Sequence, residues 1–235
     1  MRFIVVGDVH GCNVELDALL DRLAVTSADH VAFVGDLVAK GPNSRLVLRT
    51  AREIGASIAL GNHEERMLEA RAARQEGRPL PKLDATHASL LEELSDEEWA
   101  LLASLPRWVD LDAKLRVVHA GIVPGIPMAA QDPHHLTHLR SISESGEPSM
   151  KWGPPWGALY QGPPHLVFGH NARKDPQLHP DATGLDTGCV YGGALTALVV
   201  PKGSLPPGPL ERRDALAVEP ARRAYASYGG PLLNR

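Results

Sequence analysis

Five times in this chain a short apolar run stops on glycine followed by aspartate, asparagine or histidine, or on histidine itself: FIVVGDVHG from Phe3, AFVGDLVAKGP from Ala32, ALGNHE from Ala59, RVVHAG from Arg116 and LVFGH from Leu166. Runs of this length fit buried strands better than helices, which need a longer periodic stretch. The residues just past their ends are Asp8 and His10, Asp36, Asn62 and His63, His119, and His170. Strand ends are where α/β proteins place their chemistry. Oxygen and imidazole donors without a thiolate suit hard or borderline divalent cations such as manganese, iron or zinc. The pattern is that of a metal-dependent hydrolase.

The size of the chain agrees with a single α/β domain. Its 235 residues, 43% of them hydrophobic, can bury one sizeable core. Aromatic residues make up only 5%, so that core rests on Leu, Val, Ile and Ala, the residues of buried strands covered by helices. A formal charge of −4 argues against a general nucleic-acid-binding surface, although a local basic pocket is compatible with it. The apolar stretch in MRFIVVGDVHG is too short for a signal peptide, and no stretch approaches a membrane span, which points to a cytoplasmic protein. Two cysteines, Cys12 and Cys189, are too few for a disulfide framework or a thiolate metal cage and read as small apolar thiols.

The first third alternates strand and helix. Residues 2–6, 31–34 and 57–60 read as strands, and Leu16, Leu19, Leu20 and Leu23 form the apolar stripe of a helix lying on a sheet. A second helix starts near Ser44 after Pro42 and Asn43, and a third runs from EERMLEARAARQ to a stop at Gly77 and Pro79. This βαβαβα opening implies parallel strands. Two more helices fit residues 84–94 and 96–104, the second opened by a Ser95/Glu98 capping box. WVDLD and LRVVHA, joined by Ala113 and Lys114, read as an antiparallel hairpin, so the sheet architecture is mixed. Residues 124–164 are rich in Pro, Gly, His and Ser and read as long loops over the site; strands resume at 165–169 and 194–200. We expect one domain over 1–205 and a C-terminal appendage over 206–235.

The ligands separate by their setting. Asp8 and His10, two residues apart at a strand end, can face the same way and grip one cation. Asp36 repeats the design on the neighbouring strand and is central enough to bridge two cations. Asn62 and His63 are adjacent, so one can hold metal while the other faces substrate. His119 and His170 supply further nitrogen ligands. His30, His87, His165 and His179 read as surface or packing residues. The PHHLTH cluster of His134, His135 and His138 has no carboxylate partner on a defined strand and reads as solvated surface, with a peripheral metal contact as the alternative.

GDVHG at 7–11, GDLVAKGP at 35–42, GNHE at 61–64, HAG at 119–121, GH at 169–170 and LDTGCVYGG at 185–193 follow one another in an order that resembles the calcineurin-like metallophosphoesterases. Within them the chain is most similar to the phosphoprotein-phosphatase branch that includes the symmetrical diadenosine tetraphosphatases. The resemblance implies a central sandwich of two mixed β-sheets flanked by helices. It implies two divalent metal ions, manganese first, with iron, zinc or cobalt as alternatives. Asp8, His10 and Asp36 would hold the first metal, and Asp36, Asn62, His119 and His170 the second. A metal-bridging hydroxide would attack phosphorus while His63 protonates the leaving oxygen. Lys40, where the family usually carries arginine, would neutralise a phosphate oxygen; Arg140 is the candidate second cation, and Tyr191 a candidate pocket residue.

Protein phosphatases of this branch carry an aspartate that orients the acid histidine, where this chain has Ala39, so His63 must be oriented by something else, such as a backbone carbonyl or water. The resemblance therefore implies symmetrical cleavage of dinucleoside polyphosphates, with nucleotide-capped RNA 5′ ends as further substrates. A serine/threonine protein phosphatase or broad phosphomonoesterase is the alternative, and a non-catalytic binding module the third. Trp152 and Trp156 either stack an adenine or pack against prolines.

Overall fold

The computed structural model describes residues 1–228. Its frame is a sandwich of two five-stranded mixed sheets. The first sheet has β1 (Arg2–Val6), β2 (His30–Phe33) and β3 (Ser57–Ile58) in parallel, as the opening pattern implies. The order along it is β12-β11-β1-β2-β3, where β11 (Ala194–Pro201) runs antiparallel to β1 and β12 (Leu216–Pro220) antiparallel to β11. In the second sheet β4 (Trp108–Asp110) and β5 (Leu115–Val118) form the expected hairpin. β5, β8 (His165–Phe168) and β10 (Ala182–Gly184) are parallel, and β9 (Gln177–Leu178) closes the edge.

β1 sits between β2 and β11, and its residues after Arg2 are buried on both faces. Phe3 and Val5 point into the space between the sheets, where they meet Leu115, Val117, Val167 and Leu185. Ile4 and Val6 point the other way, into a larger apolar cluster shared with the helices. The period of two along one strand thus feeds two separate cores. Five helices supply that larger cluster: α1 (Asn13–Arg22), α2 (Ser44–Glu53), α3 (Asn62–Gln75), α4 (Ala85–Glu93) and α5 (Asp96–Ser104). α5 opens on the expected capping box, and α4 is capped by Asp84, whose carboxylate accepts the Thr86 and His87 backbone N–H groups at 2.9 and 3.0 Å. Cys12 and Cys189 lie buried as free thiols in this cluster.

A third cluster lines the outer face of the second sheet, beneath the loop-rich segment. That segment is more regular than its composition implies. It folds a short helix, α6 (Pro133–His138), from PHHLTH, and a hairpin of β6 (Ser141–Ile142) with β7 (Pro148–Ser149). Trp156 is fully buried here, donating its indole N–H to Ala120 O at 3.0 Å, so it is a packing residue.

The segment expected as an appendage joins the frame. β12 extends the first sheet, and Arg212 is wholly buried, its guanidinium donating to the carbonyls of Pro207, His179, Pro180 and Ala182 and to Thr183 Oγ1. Proline-rich composition hid these pairings because every partner but Pro207 lies outside the segment. The last part of that expected appendage, 229–235, lies outside the described residues. No helix among the described residues is long and apolar enough to cross a membrane.

Candidate active site

The carboxyl ends of β1, β2, β5 and β8 turn toward one place, and the turns are strained in a shared way. His10, Asp36, Ala39, Lys40 and His170 all have positive φ, between 47° and 67°. Left-handed backbone at non-glycine residues costs roughly 1–3 kcal/mol each and persists where the surroundings hold it. At the β2 turn the holder is Glu64. Wholly buried, it accepts the N–H groups of Asp36, Leu37 and Val38 at 2.8 to 3.1 Å and of Gly61 at 3.1 Å. Burial and the neighbouring Asp36 push its carboxyl up to about 7, against the pull of those N–H groups. Two glycines are demanded by close approach, since a Cβ on Gly61 would collide with the Asp36 side chain and one on Gly169 with that of Asp8.

Around Asp36 the imidazoles share one orientation rule. His10 has Nδ1 on Val38 O at 3.1 Å and Nε2 3.5 Å from Asp36 Oδ2. His119 has Nδ1 on Val34 O at 3.0 Å, with Nε2 3.5 Å from Asp36 Oδ2 and 3.0 Å from Asn62 Oδ1. His170 has Nε2 on the His138 carbonyl at 3.2 Å and Nδ1 on Asn62 Oδ1 at 2.9 Å. Each ring spends one nitrogen on a backbone carbonyl and turns the other inward, which is how metal-binding histidines are usually fixed. Asp8 accepts the His170 backbone N–H at 3.1 and 3.2 Å.

Two triads of metal-type donors, His10–Asp36–His63 and Asp36–His119–His170, share Asp36. Burial raises the carboxyl of Asp36 to about 6 and that of Asp186 to about 6, and it raises Asp8 well above its ordinary range, helped there by the charges of Asp186 and Asp36. Three crowded buried carboxylates need neutralising charge. The donor set and the crowding fit divalent cations. Burial keeps the histidines neutral and able to ligate: His119 falls to about 4, and His10 and His170 lie well below the ordinary value.

Beyond the cage the site is walled by longer side chains. A cavity of about 220 Å³ is lined by His63, Lys40, Arg140, Trp152, Tyr191 and Tyr228, among others. Lys40 Nζ lies 2.9 Å from His10 Nε2 and 5.3 Å from the Tyr191 ring centre. Arg140 donates to Asn171 Oδ1 at 2.8 Å and lies 5.1 Å from the Trp152 ring, with Arg173 at 5.5 Å. Tyr228 packs on Tyr191, ring centres 4.7 Å apart, and donates its hydroxyl to Ala172 O at 3.0 Å. Two larger hollows adjoin this cavity. One, of about 490 Å³, shares Lys40 and includes Thr86, Arg45 and Tyr225; the other, of about 510 Å³, shares Asn62 and includes Arg66, Arg107 and His134.

The structure thus brings the ten candidate metal, acid and phosphate-binding residues close to one cavity, whereas Trp156 lies apart in the core. It also adds some that were not singled out in the sequence. Asp186, inside LDTGCVYGG, lines the cavity, and the carboxylate in that motif is its sequence signal. Tyr228 arrives from the tail without any sequence signal.

His87, read as a surface or packing residue, is buried, and its Nε2 lies 2.9 Å from His63 Nδ1. His63 is held further by its backbone N–H on Asp36 Oδ1 at 3.0 Å, with Nε2 4.0 Å from Asp36 Oδ2. Burial, then the Lys40 charge, keeps its imidazole well below the ordinary value. PHHLTH gains the carboxylate partner that the sequence lacked: Glu65 gathers with His134 and His138. That carboxylate is already engaged by Arg107 at 2.9 Å and Thr137 at 2.8 Å.

Comparison with known proteins points the same way. The model of the calcineurin-like phosphoesterase family matches residues 1–197. The chain is 33% identical to the asymmetrical bis(5′-nucleosyl)-tetraphosphatase PrpE of Halalkalibacterium halodurans, over 86% of this chain and 91% of that protein. It is 31% identical to the symmetrical bis(5′-nucleosyl)-tetraphosphatase of Photorhabdus laumondii, over 84% and 93%. Among solved structures, a candidate diadenosine tetraphosphatase superposes with a TM-score of 0.78 at 31% identity, covering 97% of this chain and 95% of that one.

Proposed function

This chain belongs to the calcineurin-like phosphoesterase family, hydrolases that work with divalent metals, and we propose that it hydrolyses dinucleoside polyphosphates such as diadenosine tetraphosphate by symmetrical cleavage. The observation that carries this reading is the shape around Asp36. The candidate ligand cavity shares a lining residue with each of two larger hollows, Lys40 with one and Asn62 with the other. A two-armed substrate can rest one nucleoside in each while its bridging phosphates lie at the cage. Relatives named as tetraphosphatases support the substrate class, and they include both cleavage types. Ala39 and the LDTGCVYGG stretch support the symmetrical cut through the branch they resemble.

In this reading Asp8, His10 and Asp36 hold one divalent cation, and Asp36, Asn62, His119 and His170 a second, manganese being the first choice. Such a pair supplies charge neutralisation at the phosphoryl oxygens and a nucleophilic water usable at neutral pH. The chain's own residues do the rest. Lys40 and Arg140 take up charge on the non-bridging oxygens, the fixed and partly desolvated kind of stabilisation that does not have to reorganise during reaction. His63 presents Nε2 toward the centre and protonates the leaving phosphate oxygen. Trp152 and Tyr228 offer flat faces to a base, and Tyr191 backs Tyr228 and Lys40.

The test strips the protein of metal, reconstitutes it with manganese and separates the products from diadenosine tetraphosphate, with p-nitrophenyl phosphate, a nucleotide-capped RNA and a phosphopeptide as comparators. ADP as sole product is expected. ATP together with AMP would overturn the symmetrical cut. An untouched tetraphosphate beside efficient phosphopeptide turnover would overturn the substrate class.

A further inference from the structure

Leading away from the cage is a line of three side chains, His63, His87 and Asp84, of which the proposed chemistry uses only the first. His63 Nδ1 faces His87 Nε2 at 2.9 Å, and their ring planes are 16° apart with centres separated by 4.9 Å, which suits an edge-to-edge N–H···N bond. Behind His87, Asp84 Oδ1 lies 2.8 Å from Nδ1. That approach is off the N–H direction, and Nδ1 has no properly directed hydrogen-bond partner, so Asp84 acts on the ring mainly by its charge. Asp84 is itself fixed, as the N-cap of α4. His87 is 1% exposed, so its ring has no solvent alternative.

These contacts select one arrangement of protons. A carboxylate beside His87 Nδ1 favours the tautomer with hydrogen on that nitrogen, because the opposite tautomer would set a lone pair against negative charge. His87 Nε2 is then an acceptor, and the bond to His63 must be donated by His63 Nδ1–H. With Nδ1–H committed to His87, a neutral His63 carries its lone pair on Nε2, so Nε2, the nitrogen turned toward Asp36, first takes up a proton from water and then passes that same proton to the leaving oxygen. The same logic fixes the histidine of a Ser-His-Asp triad through its far nitrogen. Position 39, the expected seat of an orienting carboxylate, is a buried alanine with no polar side chain.

We propose that His87, held by Asp84, is the positioning residue that orients His63 for proton donation to the leaving group. This rests on His63 being the acid in the proposed hydrolysis. His87 does not touch substrate; it acts through His63. A packing residue at the same place would matter for stability alone.

The experiment measures kcat and KM for diadenosine tetraphosphate with manganese-loaded wild type, His87→Leu, His87→Gln, Asp84→Asn, His63→Ala and the His63→Ala/His87→Leu double variant. General acid catalysis contributes about 10²–10⁴-fold, so losing its orientation is expected to lower kcat roughly ten- to a hundredfold while KM moves less than about threefold. Glutamine, whose Oε1 can accept at the position of Nε2, should restore most of kcat. Asp84→Asn keeps a good helix cap and removes the charge, and should lower kcat by a few-fold.

In the His63→Ala background the His87→Leu change should have almost no further effect, since two residues acting as one unit are not additive. ¹⁵N spectra of the zinc-loaded protein should show His63 protonated at Nδ1 in wild type and in His87→Gln, and that signature lost in His87→Leu. Wild-type kcat in His87→Leu overturns the proposal. So does equal damage from Leu and Gln, an undiminished His87→Leu effect without His63, or a bare His63 Nδ1 in wild type. If wild type leaves diadenosine tetraphosphate intact, the substrate reading falls, and the spectra alone decide the positioning.

Discussion

The two sides of the candidate site are built on different principles. On one side, Asp8, His10, Asp36, Asn62, His119 and His170 come from short loops and a helix start at the ends of buried strands, and each of the three histidines has its outer nitrogen pinned by a carbonyl. On the other, Arg140, Trp152, Tyr191 and Tyr228 come from the loop-rich segment, the turn before β11 and the tail, and pack ring against ring or cation against ring, Arg140 on Trp152 and Tyr228 on Tyr191. Pinned short side chains suit charges that must be placed within a fraction of an ångström. Long cations and flat rings suit adaptable contact with a nucleotide. On the proposed reading the contrast separates chemistry from selection: the cage would govern whether phosphorus is attacked, and the wall which molecule is held.

The largest test of this division is Asp36→Asn. It keeps the shape of the shared residue and removes the charge common to both triads. We expect kcat/KM to fall by about a thousandfold, the scale of losing a group that stabilises transition-state charge. Bound manganese, measured by elemental analysis, should drop from two per chain to one or none. A variant that kept both metals and its rate would dissolve the distinction from the cage side.

A smaller effect is expected from Trp152→Ala. Stacking of a base on an aromatic ring is worth about 1–3 kcal/mol, so KM for diadenosine tetraphosphate should rise roughly tenfold with kcat little changed. Turnover of p-nitrophenyl phosphate, which has no nucleobase, should stay as it was. A fall in kcat on both substrates would move Trp152 to the chemical side. Smallest of all is Tyr228→Phe, which leaves the ring on Tyr191 and removes only the hydroxyl bond to Ala172 O. Thermal unfolding should register a loss of about 1 kcal/mol, with both kinetic constants within twofold of wild type.

The same division explains what could be read before folding. The cage was legible because buried parallel strands write themselves as apolar runs, and each run ends where its ligand stands. The αβ alternation and the 108–118 hairpin were legible for a similar local reason. His87 was not, because a histidine on a helix looks the same whether it packs or contacts a partner 24 residues away. Its only local trace is Asp84 three residues earlier, which is also an ordinary helix cap. Glu64 was visible in GNHE, yet its work of gathering four backbone N–H groups appears only once α3 is set beneath the β2 turn. β12, Arg212 and Tyr228 stayed hidden because proline-rich composition mimics a loose tail, while their stability comes from distant partners.

The strand order of the first sheet carries a kinetic consequence. β1 is made before the strands that flank it, and one of its two edges is covered by β11, with Arg2 opposite Pro201. During synthesis that edge stays open until β11, almost two hundred residues later, has emerged. Such distant pairing delays folding because the loop must close before its contacts reward it. The nascent chain therefore spends its vulnerable interval with an apolar strand edge exposed, a template for pairing with other chains, until β11 seals it and β12 follows. Slow translation or early truncation before residue 194 should favour aggregation over a partly active enzyme.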